Sequence, residues 1–212
     1  MQVDLGGVTN LSDPSGTLVR NFCLLLASCT NVQSLSLIGD VGASGKPLNW
    51  GSIQYPIRMT LELLSSCASL EHLQIDWLEL PLSSILRQQD SLISLTLHRV
   101  SDGGSPTTSA LVLHDRSQTG IRISRISTDI LSLRILIKRP NPQPTGPPPL
   151  DLSFLRTFET VFNIGDLATT TFVRNVIVGA KNLDTLSLVA GIGAGKSKSL
   201  HCLNALADLS HC

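Results

Sequence analysis

The stretch "LLSSCASLEHLQI", residues 63–75, joins an apolar helical pattern to an alternating one. Its second half fits the frame L-x-x-L-x-L, whose apolar residues here are Leu70, Leu73 and Ile75. Leu73 and Ile75 are two positions apart, so they point to the same side of a strand, whereas His72 and Gln74 point to the other side. The stretch therefore predicts a short strand with one buried face and one open face.

The same frame recurs along the chain, as expected of a repeat architecture. With related apolar residues allowed, it begins at Val32, Leu70, Leu92, Ile130 and Leu183, and in a weaker form at Leu155. The positions that alternate with the apolar residues are polar in every copy: Ser34, Ser36, His72, Gln74, Ser94, Thr96, Ser132, Arg134, Thr157, Glu159, Thr185 and Ser187. This alternation predicts strands near 34–37, 72–75, 94–97, 132–135 and 185–188, all parallel in one curved sheet.

Helical patterns precede several of these strands. The apolar positions that share a helical face are Leu18, Phe22, Leu25, Leu26 and Cys29 in the first helix, Ile57, Leu61 and Leu64 in the second, and Phe172, Val173, Val176 and Ile177 in the third. Asp13 with Pro14 and Asp166 are the expected caps of the first and third. Helices between strands give a parallel sheet by connectivity. The long gap before Ile130 leaves room for an extra strand at 109–115.

Two segments share a cysteine three residues before the frame: "LLASCTNVQSLSL" (25–37) and "LLSSCASLEHLQI" (63–75). They resemble the cysteine-containing leucine-rich repeat, in which a helix ends in a small residue and a cysteine. A small apolar thiol at Cys29 or Cys67 suits the gap between helix and strand. The style of the chain is similar to the repeat arms of F-box proteins, particularly those of basidiomycete fungi. The resemblance implies an irregular α/β leucine-rich-repeat solenoid, with parallel strands on the concave face and helices on the outer side.

The same resemblance implies a function. The resemblance implies a protein-protein interaction module that serves as the substrate-recognition arm of an F-box-type ubiquitin ligase adaptor. The later frames lack the cysteine, and the chain opens directly in repeat-like sequence without a recognisable F-box segment. We therefore expect either a recognition arm without its adaptor-binding end or a non-functional fragment of a longer leucine-rich-repeat protein, truncated at its N-terminus.

Length and composition predict one intracellular domain over 1–212. The chain has 16 basic and 16 acidic side chains, so no excess of positive charge points to nucleic acid. No apolar run approaches the roughly 20 residues that span a bilayer, and the five cysteines form a scattered, odd-numbered set typical of free thiols in the cytoplasm or nucleus. The proline-rich segment 138–151 is expected to be a surface loop within the domain.

A glycine-rich stretch near the C-terminus offers an alternative function. Ala190, Gly195, Lys196 and Ser197 fit the outline of a phosphate-binding loop, which would make the protein a nucleotide-binding one. Little chain follows Ser197, and no apolar strand ending in aspartate supplies the usual magnesium ligand. We therefore interpret 190–197 as a turn, without a cofactor. The pairs His201–Cys202 and His211–Cys212 lack the spacing of a zinc site, so we expect no metal.

The predicted functional residues lie on the open side of the strands. We expect a protein partner there, with no catalytic residue, nucleic acid, membrane or small-molecule substrate involved. The positions expected to contact the partner are His72, Gln74, Asp76, Ser94, Thr96, His98, Arg134 and Glu159. The larger side chains among them are the expected anchors, because binding energy concentrates in a few large residues.

Overall fold

The chain is a mixed α/β protein with a parallel central sheet. The computed structural model describes residues 1–6, 16–29, 31–41, 45–86, 91–103, 121–137, 150–163 and 167–191. In chain order the elements are β1 (Gln2–Asp4), α1 (Thr17–Ala27), β2 (Ser34–Ile38), β3 (Leu48–Asn49), α2 (Tyr55–Ser65), β4 (His72–Asp76), β5 (Leu78–Leu80), α3 (Leu82–Leu86), β6 (Ser94–His98), β7 (Ser101–Asp102), β8 (Arg125–Asp129), α4 (Ile130–Ile137), β9 (Thr157–Asn163), α5 (Leu167–Gly179) and β10 (Thr185–Gly191).

Seven strands form the main sheet in the order β1-β2-β4-β6-β8-β9-β10, and β3, β5 and β7 form a smaller sheet. Each ladder between the described strands is parallel. The strands predicted near 34–37, 72–75, 94–97 and 185–188, and the weaker frame at Leu155, are confirmed. In the small sheet, β5 follows shortly after β4 in the chain and β7 follows shortly after β6. The sequence did not predict this second sheet.

An apolar row runs across the strands on the inner face of the main sheet. Leu35, Leu73, Leu95, Ile126 and Phe158 are aligned in register, and none is more than 2% exposed. Burying a side chain of this size stabilises a fold by about 1.5–3 kcal/mol. The row fixes the register, because a slip by one residue would turn every one of these side chains to the open face.

The strand predicted at 132–135 is wrong. Residues 130–137 form α4, and the strand of this repeat is β8, seven residues earlier than the sequence frame placed it. The carboxylate of Asp129 accepts the backbone N–H groups of Leu131 and Ser132 at 2.9 and 3.0 Å, which caps a helix at this point. Ile126 and Thr128 are buried on the inner face, so the correct frame ends in a polar residue.

The helices pack on the inner side of the sheet. The predicted buried face of α2 is confirmed, since Ile57, Leu61 and Leu64 are buried, and in α5 Val173 and Val176 are buried. The predicted face of α1 is confirmed only in part, since Phe22 and Cys29 pack against the core. Leu18 and Leu25 are exposed, whereas Val19 and Leu26 are buried. This helix is apolar on several sides, so the leucine pattern alone does not set its rotation.

Cys29 and Cys67 occupy equivalent places after α1 and α2. Each is half-buried against the core, and each thiol contacts a helical carbonyl four residues earlier, Leu25 at 3.5 Å and Leu63 at 3.7 Å. The predicted strand at 109–115, most of the proline-rich segment 138–151, and residues 192–212 lie outside the described residues. Ala190 and Gly191, the first two residues of the predicted turn 190–197, belong to β10 instead.

Candidate functional site

The open face of the main sheet is the candidate site. We define the open face as the outward positions of the seven strands: Gln2, Asp4, Ser34, Ser36, Ile38, His72, Gln74, Asp76, Ser94, Thr96, His98, Arg125, Ser127, Asp129, Thr157, Glu159, Val161, Thr185, Ser187 and Val189. All of these side chains are half-buried or exposed. Because backbone ladders hold them, they form a fixed array in which eight serine and threonine hydroxyls lie among larger polar, charged and apolar side chains.

Seven of the eight predicted contact residues lie on this face. His72, Gln74 and Asp76 come from β4, Ser94, Thr96 and His98 from β6, and Glu159 from β9. In register, His72 neighbours Ser94, Gln74 neighbours Thr96, and Asp76 neighbours His98. The sequence therefore predicted that these seven side chains share one face, and the structure supplies their pairing.

Arg134 does not lie on this face, so its predicted strand position is wrong. It belongs to α4, where its guanidinium donates to the Thr169 hydroxyl at 3.1 Å and lies 5.8 Å from the centre of the Phe172 ring. The arginine of the open face is Arg125, which lies in register between Ser94 and Thr157. The frame Ile123-x-x-Ile126-x-Thr128 could have identified Arg125 from the sequence if a polar last position had been accepted.

A tightly packed polar cluster lies where β4 and β6 meet on the open face. Gln74 donates its side-chain amide to one oxygen of Asp76 at 2.6 Å. The other oxygen of Asp76 is shielded from solvent and accepts no hydrogen bond within the described part of the chain. The imidazole Nδ1 of His98 lies 3.3 Å from it, close enough for an ion pair when that ring is protonated. This cluster fixes the His98 ring at the centre of the face.

The carboxyl ends of β4 and β6 carry a repeated backbone feature. Trp77 and Arg99 directly follow these strands, and both have φ of 54°, in the left-handed region that large side chains rarely adopt. The N–H of Gly39 donates to the carbonyl of Asp76 at 2.8 Å, and that of Trp77 donates to the carbonyl of His98 at 2.9 Å. At the next step, the N–H of Arg99 donates to the side chain of Asp129. The Asp129 carboxylate thus takes the place of a backbone carbonyl.

Asp129 is a structural residue at the border of the open face. Besides capping α4 and binding the N–H of Arg99, it accepts the hydroxyl of Ser132 at 2.9 Å. That hydroxyl oxygen in turn accepts the N–H of Val100 at 3.0 Å. One side chain therefore ties β6, β8 and α4 together, a role that sequence analysis did not foresee.

Arginines gather at the amino ends of β8 and β9. Arg122 lies 4.7 Å from the centre of the Phe154 ring, and Arg156 pairs with Asp184 at 3.3 Å while both remain well exposed. Arg125 also lies at this end of β8, while Asp184 offsets the charge of Arg156. An exposed pair such as that of Arg156 with Asp184 contributes little to stability.

Metal-binding clusters and membrane-spanning helices are both absent from the described residues. No group of three or more His, Cys, Asp or Glu side chains is arranged to hold a metal ion among the described residues. No helix in the described ranges is long and apolar enough to cross a bilayer. His114, His201 and His211, the two C-terminal cysteines, and Gly195, Lys196 and Ser197 lie outside these ranges.

Comparison with known proteins gives no further assignment, since no family model, curated protein or solved structure matches the chain.

Proposed function

We propose that this chain is a leucine-rich-repeat-like solenoid whose open face binds another protein. The observation that carries the proposal is the alignment of β2, β4, β6, β8 and β9, each of which presents mostly polar residues on one side, while the described apolar residues of its other side are buried. Stacked repeats of one supersecondary unit build extended surfaces of this kind.

The chemistry of the face suits recognition of a protein. Eight of its twenty positions carry serine or threonine, and larger side chains are spread over neighbouring strands, among them His72, His98, Arg125 and Glu159. The face carries four carboxylates, those of Asp4, Asp76, Asp129 and Glu159, and one arginine, so it disfavours a polyanion such as nucleic acid. The ladders fix the backbone in advance, which lowers the entropy lost on binding.

The ligase role rests on the resemblance to F-box repeat arms. The equivalent placement of Cys29 and Cys67 supports the repeat assignment for α1–β2 and α2–β4, because both thiols contact the last turn of their helix in the same way. We accordingly propose that the chain is an intracellular recognition arm, cytoplasmic or nuclear, that presents a substrate for ubiquitination. The genomic sequence upstream of Met1 tests this part: an in-frame F-box-like helical segment is expected there, and its absence would contradict the ligase role.

The binding proposal is tested with a matched pair of variants. Ser94 lies in the middle of the open face, between His72 and Arg125 in register, whereas Asn175 is exposed on α5. The tagged chain and its Ser94→Glu and Asn175→Glu variants serve as baits, and captured proteins are quantified by mass spectrometry. We expect Ser94→Glu to lose a partner that wild type and Asn175→Glu both retain. The same captured proteins with all three baits would refute the proposal.

A further inference from the structure

The contact between Asp76 and His98 determines which nitrogen of the imidazole ring carries a proton. The two residues are register partners on β4 and β6. One oxygen of Asp76 already accepts the amide of Gln74, and the other, which is shielded from solvent, lies 3.3 Å from Nδ1 of His98. A shielded carboxylate oxygen is stabilised by a facing N–H and repelled by a facing lone pair. The contact therefore requires a proton on Nδ1, whether the ring is neutral or charged.

A proton on Nδ1 fixes the state of the other ring nitrogen. A neutral imidazole carries one N–H, so Nε2 of neutral His98 is a hydrogen-bond acceptor. Nε2 lies at the tip of the ring, away from the backbone, and 43% of the side chain is exposed. The neutral ring therefore offers an acceptor on the open face. When the ring takes up a second proton, the same atom becomes a donor and the ring gains a positive charge.

Other charged groups near His98 have contacts of their own. On the β8 side, the carboxylate of Asp129 accepts the first N–H groups of α4 and the N–H of Arg99. Arg99, the next residue in the chain, lies over the ring of Trp77. Among the described residues, Asp76 is therefore the charged group that positions the proton of His98.

We propose that Asp76 positions His98 so that the neutral ring accepts a hydrogen bond through Nε2 from a donor group of the partner, such as a backbone N–H or a hydroxyl. Binding at the open face then weakens as the pH falls, because the protonated ring turns a second N–H toward that donor. This inference rests on the proposed function, since it names the chemistry by which the same partner is recognised.

The position of the proton is measured without a partner. In the nitrogen-labelled full-length chain, long-range proton–nitrogen NMR correlations distinguish a protonated ring nitrogen from one that carries a lone pair. We expect neutral His98 to be protonated at Nδ1 in wild type and in Gln74→Ala, which keeps Asp76, and to gain the Nε2-protonated form in Asp76→Ala. A neutral wild-type ring protonated at Nε2, or an Asp76→Ala ring still protonated only at Nδ1, would overturn the proposal.

The pH profile of binding tests the role of Nε2. Isothermal titration calorimetry with the captured partner covers about pH 8 to about pH 5, the range in which histidine takes up a proton. We expect the wild-type Kd to rise about tenfold or more as the pH falls. His98→Gln should bind with a constant Kd, because an amide oxygen replaces Nε2 and does not titrate. His72→Gln is the control and should keep the wild-type profile, since His72 is half exposed and lies 4.0 Å from Glu71.

The outcomes separate this inference from the proposed function. A wild-type Kd that is constant with pH, that falls as the pH falls, or whose rise survives in His98→Gln would overturn the inference and leave binding at the open face intact. If wild type and Ser94→Glu capture the same proteins, the proposed function fails and this inference fails with it.

Discussion

The guanidinium of Arg99 lies 5.3 Å from the centre of the Trp77 ring, and both residues have the same left-handed φ of 54°. They follow β4 and β6 at equivalent positions, so the side chains that come directly after the strands of two neighbouring repeats stack on each other. A cation over an indole ring contributes about 0.5–1 kcal/mol at an exposed site, which partly offsets the strained backbone.

The strain at Arg99 leads to a first prediction. Arg99→Ala and Arg99→Gly both lose the stacking on Trp77, but glycine adopts a positive φ without strain. We expect the glycine variant to be more stable than the alanine variant by about 1 kcal/mol, measured by urea unfolding. The same pair of substitutions at Asn175, in the middle of α5, should give the opposite order, because glycine destabilises helices. An alanine variant at 99 equal to or more stable than the glycine variant would contradict the left-handed conformation.

The side chain of Asp129 provides a second prediction. Asp129→Ala removes the cap of α4 and the acceptor for the N–H of Arg99, so the free energy of unfolding should fall by about 1–3 kcal/mol. Asp184→Ala is the control, because it removes only an exposed ion pair with Arg156 and should cost less than about 1 kcal/mol. Equal losses in the two variants would show that Asp129 does not join β6 to α4.

The frame that begins at Ile130 shows where the L-x-x-L-x-L pattern fails to separate a strand from a helix. Ile130, Leu133 and Ile135 satisfy L-x-x-L-x-L, but the first two also have the i, i+3 spacing of a helix, and periodicity over so few residues does not separate the two. The capping contacts of Asp129 decide in favour of the helix. In the other five frames a strand forms where the pattern predicts it, because the alternating polar and apolar residues allow only one register.

The positions of the open-face residues were predictable from the alternation of polar and apolar residues along each strand. The contacts between their side chains were not. His72, Gln74, Ser94 and Thr96 follow directly from the alternation. The contact between His98 and Asp76 and the replacement of a carbonyl by Asp129 involve side-chain geometry between repeats, which strand periodicity does not encode.

Exposed leucines on two neighbouring helices predict self-association. Leu25 of α1 and Leu63 of α2 are 64% and 68% exposed, and these two helices pack against each other. We expect the isolated chain to associate as its concentration rises in analytical ultracentrifugation, and Leu25→Glu with Leu63→Glu to reduce that association. A wild-type chain that remains a monodisperse monomer would contradict this prediction.

Adjacent residues of β6 should respond differently to charge. Leu95 is completely buried, so Leu95→Asp should lower the free energy of unfolding by more than about 3 kcal/mol. Ser94 faces outward, so Ser94→Glu should change the free energy of unfolding by less than about 1 kcal/mol. Limited proteolysis and urea unfolding measure both effects, and similar losses would mean that the two faces of the sheet are wrongly assigned.

The most direct test of binding at the open face is an affinity measurement with the captured partner. His72→Ala, Arg125→Ala and Glu159→Ala, on three different strands, are compared by isothermal titration calorimetry with Arg174→Ala, an exposed substitution on α5. We predict that at least one open-face variant raises the Kd about tenfold, which corresponds to about 1.4 kcal/mol, while Arg174→Ala leaves it unchanged. An unchanged Kd in all three open-face variants, or a loss only with Arg174→Ala, would contradict the central claim.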